Sequence, residues 1–261
     1  MILTAFPVGF FAGLFGIGGG LITVPFLFFI FETANIDKSF IMHLAVGTSF
    51  SIIIPTSIVS VFTHRKHKSV DMNIVKTYGF YVIVGVLSGT IFAALMKTKA
   101  LVLFFSLVVY FLGTYLLLNT DTMSKAKKKF SILPRAIFGF ISGFVSAPMG
   151  IGGAVMNVPI LKFFGYPINK AIGSAAAIGF IIALFGGLGF FITGAYLDAN
   201  LPLSIGFINL PAFLIFIPIT MFMARVGANT SNKMDKVNLQ RFFGVFLYVI
   251  GTLFLVRYLN L

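Results

Sequence analysis

The residues best suited to chemistry in this chain form two glycine-rich clusters. The first reads Phe15-Gly16-Ile17-Gly18-Gly19-Gly20-Leu21-Ile22-Thr23-Val24-Pro25, the second Met149-Gly150-Ile151-Gly152-Gly153-Ala154-Val155-Met156-Asn157-Val158-Pro159. Six positions are identical at a constant offset of 134, and a proline follows the last shared glycine by six residues in both. Apolar sequence flanks each cluster, so each interrupts what would otherwise run on as a membrane helix. Glycine weakens a helix, and hydrocarbon offers bare backbone no partner. Such breaks stand only where protein buries them or a polar cavity receives them. A helix that restarts after the break presents free N–H groups and the positive end of its dipole, which is chemistry for holding an anion. The candidate binding residues are therefore Gly16, Gly18, Gly19 and Gly20 with Gly150, Gly152 and Gly153. The competing use of these glycines is close helix packing. Duplication at matched positions favours a site.

Side chains near the breaks extend the candidate set. Thr48, Ser49 and Ser174 sit beside a glycine in Ala45-Val46-Gly47-Thr48-Ser49 and Ala171-Ile172-Gly173-Ser174-Ala175, the segments that follow each break. Their hydroxyls either donate to a bound oxyanion or bond their own helix carbonyls. Thr23 and Asn157 occupy equivalent repeat positions, one turn into the restarted helices. An amide such as Asn157 inside an apolar segment needs a partner, either a ligand or a neighbouring helix. His43 has the pKa for a proton relay, with a structural interfacial histidine as the alternative. Asn209 is a further unpaired polar group, without a motif.

Other chemistries are excluded. The chain has no cysteine, and His43, His64 and His67 form no metal-ligand spacing with carboxylates, so neither metal nor cofactor is expected. Glu32, Asp37, Asp71, Asp198 and Asp235 fall at segment ends, which leaves no buried carboxylate for a cation. No lysine lies near Ser49 in sequence and no carboxylate partners His43, so the chain is not expected to be an enzyme.

The elements that must position these residues are set by composition. In 261 residues, 59% are hydrophobic and 10% charged, with mean hydropathy +1.05, which excludes a soluble globular fold and implies an all-α polytopic membrane protein. The formal charge of +13 comes from short segments between apolar runs, a pattern of membrane topology with no motif for reading nucleic acid. The expected partners are the lipid bilayer and a small anionic substrate, with homo-oligomerisation left open. The N-terminus lacks the basic region of a signal peptide and repeats at 135–143, so it reads as mature sequence.

Residues 2–31 and 135–164 are the broken segments; 30 helical residues would measure about 45 Å, well beyond a bilayer core. Further apolar segments run over 38–63, 72–96, 100–118, 168–195, 201–224 and 239–259. The chain reads as a single membrane domain, 1–261, made of a first repeat at 1–119, a basic cytoplasmic linker at 120–134 and a second repeat at 135–261.

Charge placement separates two topologies. If both broken segments cross, as in eight plain transmembrane helices, the Lys and Arg residues divide ten to nine. If each instead returns to the side from which it entered, fifteen collect on one side, and only Lys38, Lys97, Lys99 and Arg257 remain opposite. The positive-inside rule selects the second arrangement. It has six full spans, two re-entrant hairpins and both termini outside. Each half then has an odd number of crossings, so the halves are inverted repeats, a recurrent plan of secondary transporters.

The two breaks, the Ala-x-Gly-Thr-Ser segment and the ending Leu239-Gln240-Arg241-Phe242-Phe243-Gly244 with Gly251 resemble the sulfite exporter TauE/SafE family over essentially the whole chain. The resemblance implies a bacterial inner-membrane permease for small sulfur oxyanions or organosulfonates such as sulfite, thiosulfate or sulfoacetate. An anion channel, or a transporter of another small organic anion, is the alternative. The chain departs from the family pattern at Ser174-Ala175, which replaces Thr-Ser, and at Ile217-Pro218-Ile219-Thr220, which lacks a small glycine.

Overall fold

In the computed structural model, residues 1–15, 19–118, 130–197, 199–231 and 234–260 are described. The order of elements is α1 (Ile2–Phe15), α2 (Gly20–Thr33), α3 (Ile41–Lys66), α4 (Met72–Leu95), α5 (Thr98–Leu118), α6 (Ile132–Met149), α7 (Ala154–Phe163), α8 (Ile168–Tyr196), β1 (Ser204–Ile205), β2 (Ile208–Asn209), α9 (Leu210–Ser231) and α10 (Lys236–Asn260). Seven of these helices, α3 to α6 and α8 to α10, are long and apolar enough to cross a membrane. The protein is an all-α, multi-pass membrane protein.

Both broken segments fold back at their glycines. Ser142 in α6 donates to Asn157 Oδ1 in α7 at 2.8 Å, although the two are fifteen residues apart. A straight helix would separate them by about 22 Å. In the first segment a Cβ placed on Gly19 would lie 3.2 Å from the Ala12 methyl; a straight helix would separate those residues by about 10 Å. The second turn shows why glycine is required. Gly150 (φ 64°) ends α6 in a Schellman motif, with Gly150 N–H on the Ala147 carbonyl and Ile151 N–H on that of Ser146. Gly153 (φ 67°) and Gly19 (φ 84°) then begin α7 and α2 from the left-handed region. Of the seven long helices, α6 is thus the entering arm of a hairpin, and the other six are each long and apolar enough to cross a membrane.

The two longest helices, α3 and α8, lie against each other and run antiparallel. Gly47 meets Phe190, Gly186 meets Phe50, and Gly173 meets Ser69 just beyond α3. Helices α5 and α10 also run antiparallel, joined by Ser106 to the Gly251 carbonyl at 2.9 Å and by Thr114 to Tyr248 at 2.6 Å. Helix α1 packs on α9 and α6 on α4, in parallel, through glycine faces that bring backbones together. Gly13 and Gly227 contact α9 and α1, while Gly85, Gly89 and Gly143 do the same between α4 and α6.

One expected span is shorter than the sequence implied. Residues 201–209 belong to no helix: Ser204 pairs with Asn209 and Ile205 with Ile208 across Gly206 (φ 56°) and Phe207. Glycine at the first turn position favours this hairpin, and Pro202 and Pro211 discourage an earlier helix start.

These contacts define two ends of the molecule. The ends of α3, α5, α7 and α9 and the starts of α4, α6, α8 and α10 share one, carrying Arg65, Lys66, Lys68, Lys76, Arg135, Lys162, Lys170, Arg225, Lys236 and Arg241. At the other end lie Lys38, Lys97, Lys99 and Arg257, with Arg257 bonded to Glu32 at 2.7 Å. The charge asymmetry expected from sequence is therefore kept among the described residues. The linker lysines Lys125, Lys127, Lys128 and Lys129, with Lys233, lie outside them.

Candidate functional site

The two breaks meet at mid-depth. A Cβ on Gly20 would overlap the Gly150 carbonyl oxygen and sit 2.8 Å from Ile151 Cα, so the hairpin tips touch backbone to backbone. Ser49 donates to that same Gly150 carbonyl at 2.9 Å, tying α3 to the second tip. The Gly152 carbonyl lies against Gly179 of α8, where a Cβ would come within 2.5 Å of it. Small residues on both faces allow these approaches. The negative ends of the Gly150 and Gly152 peptide dipoles are thereby turned toward packed protein.

Beside the tips lies a cavity of about 720 Å³ that extends toward the basic end. Its floor is made by Gly19, Thr23, Gly152 and Ala154, so the first turns of α2 and α7 both border it. Those turns carry N–H groups without intrahelical acceptors and the positive ends of two helix dipoles. The α3 wall is a polar stripe, Thr56, Ser57, Ser60 and His64, at helical spacing. Val155, Val158, Pro159 and Lys162 form the α7 wall. Tyr115 from α5, Thr220 from α9 and Gln240 from α10 complete the polar lining. Among the described residues the cavity has two basic side chains, Lys162 and His64, and no carboxylate.

Most hydroxyls on the wall are already committed as donors. Thr23 bonds the Gly19 carbonyl at 2.9 Å, Thr56 that of Ile53 at 2.9 Å, Ser57 that of Ile54 at 3.0 Å and Thr220 that of Phe216 at 2.6 Å. The groups that remain to receive an anion are the backbone N–H groups at the breaks, the Ser60 and Tyr115 hydroxyls and the two basic side chains.

The remaining sequence candidates take other positions. Gly16 and Gly18 lie outside the described residues. Thr48 is fully buried and accepts from Asn209 N–H at 2.9 Å, which pins the β hairpin to α3. Ser174 accepts from Asp71 N–H at 2.9 Å, fastening the α3–α4 turn to α8. His43 is buried at the far end of α3, its Nε2 3.0 Å from the Ala93 carbonyl, packed between the Phe40 and Phe207 rings. None of the three lines the cavity. Asn209 is partnered: its Oδ1 accepts from Ala212 N–H at 3.0 Å and opens α9.

Asn157 joins a buried cluster behind the second tip. Its Oδ1 accepts from Tyr78 at 2.7 Å and Ser142 at 2.8 Å. Its Nδ2 and the Ser146 hydroxyl are fully buried and have no partner among the described residues, and both lie beside Gly153. The equivalent first-repeat positions are Val8, Ala12 and Thr23, so the two tips differ in polarity.

Lys162, His64 and the α3 stripe were not singled out from sequence. In the sequence Lys162 is one basic residue at the end of a broken segment, and His64 is a histidine without a carboxylate partner. The signal was present in the periodicity: Val155, Val158, Pro159 and Lys162 share one helix face, as do Ile53, Thr56, Ser57, Ser60 and His64.

Comparison with known proteins follows from this geometry. The sequence profile of the family described as Sulfite exporter TauE/SafE matches residues 1–254. A probable membrane transporter protein of Haemophilus influenzae is 31% identical over 250 residues, covering 96% of this chain and 95% of its own. One of Methanocaldococcus jannaschii is 30% identical over 268 residues, covering 98% and 94%. A third, from Bacillus subtilis, is 23% identical over 270 residues, covering 96% and 94%. No solved structure matches the chain significantly.

Proposed function

The chain belongs to the sulfite exporter TauE/SafE family, and from that premise we propose that it is a secondary transporter for a small sulfur oxyanion or organosulfonate, such as sulfite, thiosulfate or sulfoacetate, across the cytoplasmic membrane. The family and its relatives make it a membrane transporter; the substrate class and the mechanism are our reading.

One observation carries the proposal. The cavity joins two helix N-termini at mid-depth to Lys162 and His64 nearer the basic end, without an opposing carboxylate among the described residues. A compact anion with several oxygens can accept from N–H groups on both tips at once, with Lys162 supplying charge along the way in and His64 a further ring N–H. Gly19 and Gly152 let backbone approach the ligand, and Asn157 and Ser146 place further buried polar atoms behind the second tip.

The packing supports two inverted repeats as the moving parts. Exchanging α1 to α5 with α6 to α10 converts the α1–α9 contact into α6–α4 and α2–α3 into α7–α8, while α3–α8 and α5–α10 map onto themselves. The self-mapped pairs run antiparallel, as inversion requires. The cavity reaches the basic end, which the positive-inside rule makes cytoplasmic. At the opposite end Phe40, His43, Phe190 and Phe207 pack together. This arrangement is the inward-facing state, and rocking of one hairpin with its neighbouring span would open the other side.

The test is uptake of labelled sulfite into proteoliposomes by the wild type and by Gly152→Val. A valine at Gly152 would project from the cavity floor, where its Cβ has ordinary room, 3.4 Å from Ile53. Flux should saturate and fall by about tenfold or more, a loss of about 1.4 kcal/mol of anion stabilisation. Unchanged flux in the variant defeats the site, and non-saturable wild-type flux replaces the carrier with a channel.

A further inference from the structure

Away from the transport cavity, the basic end holds a second cleft, of about 590 Å³, lined by Asp71, Ser131, Arg135, Tyr166, Pro167 and Lys170, with aromatic walls from Phe130 and Phe164. Arg135 is its central group. One guanidinium nitrogen donates to Thr77 at 3.0 Å and the plane lies 5.4 Å from the Phe130 ring centre. Among the described residues its Nε is buried with no partner and no carboxylate forms an ion pair with it.

Two helices begin at the cleft without side-chain caps. Ser131 precedes α6 and Pro167 precedes α8, and neither side chain bonds its first turn. Asp71, by contrast, caps α4 through Asn73 and Ile74, which occupies its Oδ1. The uncapped first turns carry free N–H groups and positive dipole ends, which add to Arg135 and Lys170. Tyr166 is a hydroxyl on the same wall, its pKa raised by burial and then by the Asp71 charge, partly offset by the charge and hydrogen bond of Arg135. Beside the cleft Ile132, Leu133 and Ile168 are 73%, 68% and 46% exposed, an apolar surface at the level of the bilayer boundary.

We propose that this cleft holds the phosphate headgroup of an anionic phospholipid of the leaflet at the basic end, with its acyl chains over Ile132, Leu133 and Ile168. The guanidinium matches a phosphate by shape and charge, and Lys170 adds a second cation at the rim. The adjoining apolar strip favours a lipid over a free anion, because it gives the chains somewhere to lie. Cytoplasmic leaflets are rich in such headgroups, and basic pockets between membrane helices are suited to them.

Native mass spectrometry of the detergent-purified full chain tests this with phosphatidylglycerol, phosphatidylcholine, glycerol 3-phosphate and inorganic phosphate as separate additions. Phosphatidylglycerol adducts should exceed those of phosphatidylcholine. Lys170→Gln, at an exposed side chain, should weaken them by about fivefold, and Arg135→Gln with Lys170→Gln by about 25-fold. Arg135→Lys should retain part of the binding, and Lys97→Gln at the opposite end should leave it unchanged. Equal binding of the two lipids, or full binding by Lys170→Gln, overturns the proposal. Binding of both soluble phosphates as tightly as the lipid overturns its lipid source. The transport reading does not enter: loss of sulfite flux in Gly152→Val leaves these adducts in place.

Discussion

Replacement of Gly20 by alanine puts the tip-to-tip contact under direct strain. The new methyl would overlap the Gly150 carbonyl oxygen, with Ile151 Cα at 2.8 Å and Ile53 Cδ1 at 2.9 Å. The isoleucine terminus can rotate away; the two backbone atoms cannot, because Ser49 and the Schellman turn hold them. Overpacking of this kind costs about 1–3 kcal/mol, and backbone atoms place it near the upper value. Alanine's better helix propensity returns at most about 1 kcal/mol, which leaves a net loss of about 2 kcal/mol. For a chain of this size that lowers Tm by about 4–8 °C. Gly152→Ala is the matched control: its methyl would find Ile53 at 3.4 Å and Gly179 at 3.8 Å, ordinary contacts, so its stability should stay within about 0.5 kcal/mol. Thermal unfolding in detergent reads both variants, and sulfite flux reads the tip geometry. A Gly20→Ala protein that melts with the wild type and transports at its rate would mean the tips do not touch.

Further outcomes follow from the same geometry. Asn157→Ala leaves the Tyr78 and Ser142 hydroxyls buried without their shared acceptor, so thermal unfolding should show a loss of about 1–3 kcal/mol, partly recovered by Asn157→Asp. Lys162→Gln should raise KM for sulfite by about fivefold at low salt, with less effect at high salt, whereas Lys97→Gln at the far end should leave KM alone. His43→Gln should preserve the pH profile of flux, because His43 lies at the opposite end of α3 from the cavity; a displaced profile would restore it as a relay. Ser49→Ala removes a single hydrogen bond to Gly150 and should cost about 1 kcal/mol, less than Gly20→Ala.

The breaks were legible because glycine clusters and charge asymmetry are one-dimensional signals. Gly150 and Gly153 take positive φ, where other residues are strained, and the restart points of α2 and α7 fall where the glycines end. Lysine and arginine counts selected a folded-back arrangement, and the Ser142–Asn157 bond agrees with it. The hydroxyls were harder to read, because their partners are remote in sequence. Thr48 meets Asn209 161 residues away and Ser49 meets Gly150 101 residues away; each looks like a free donor until the helices are packed. The short hairpin at 204–209 was absorbed into an apolar run, since Leu203, Ile205, Phe207 and Ile208 match a membrane segment in hydropathy. The cavity wall was missed for a related reason: Thr56, Ser57, Ser60 and His64 form a weak polar stripe that gains meaning only when α7 and α10 face it.

The central claim is that an anion sits on the cavity floor beside the joined tips, held by the first turns of α2 and α7. An experimental density map of the protein with sulfoacetate addresses it most directly. The account predicts density on the cavity floor, in hydrogen-bonding reach of the N–H groups that follow Gly19 and Gly153, with its carboxylate or sulfonate turned toward them. A bound anion resolved elsewhere, with the floor between Gly19 and Gly152 empty, would contradict it.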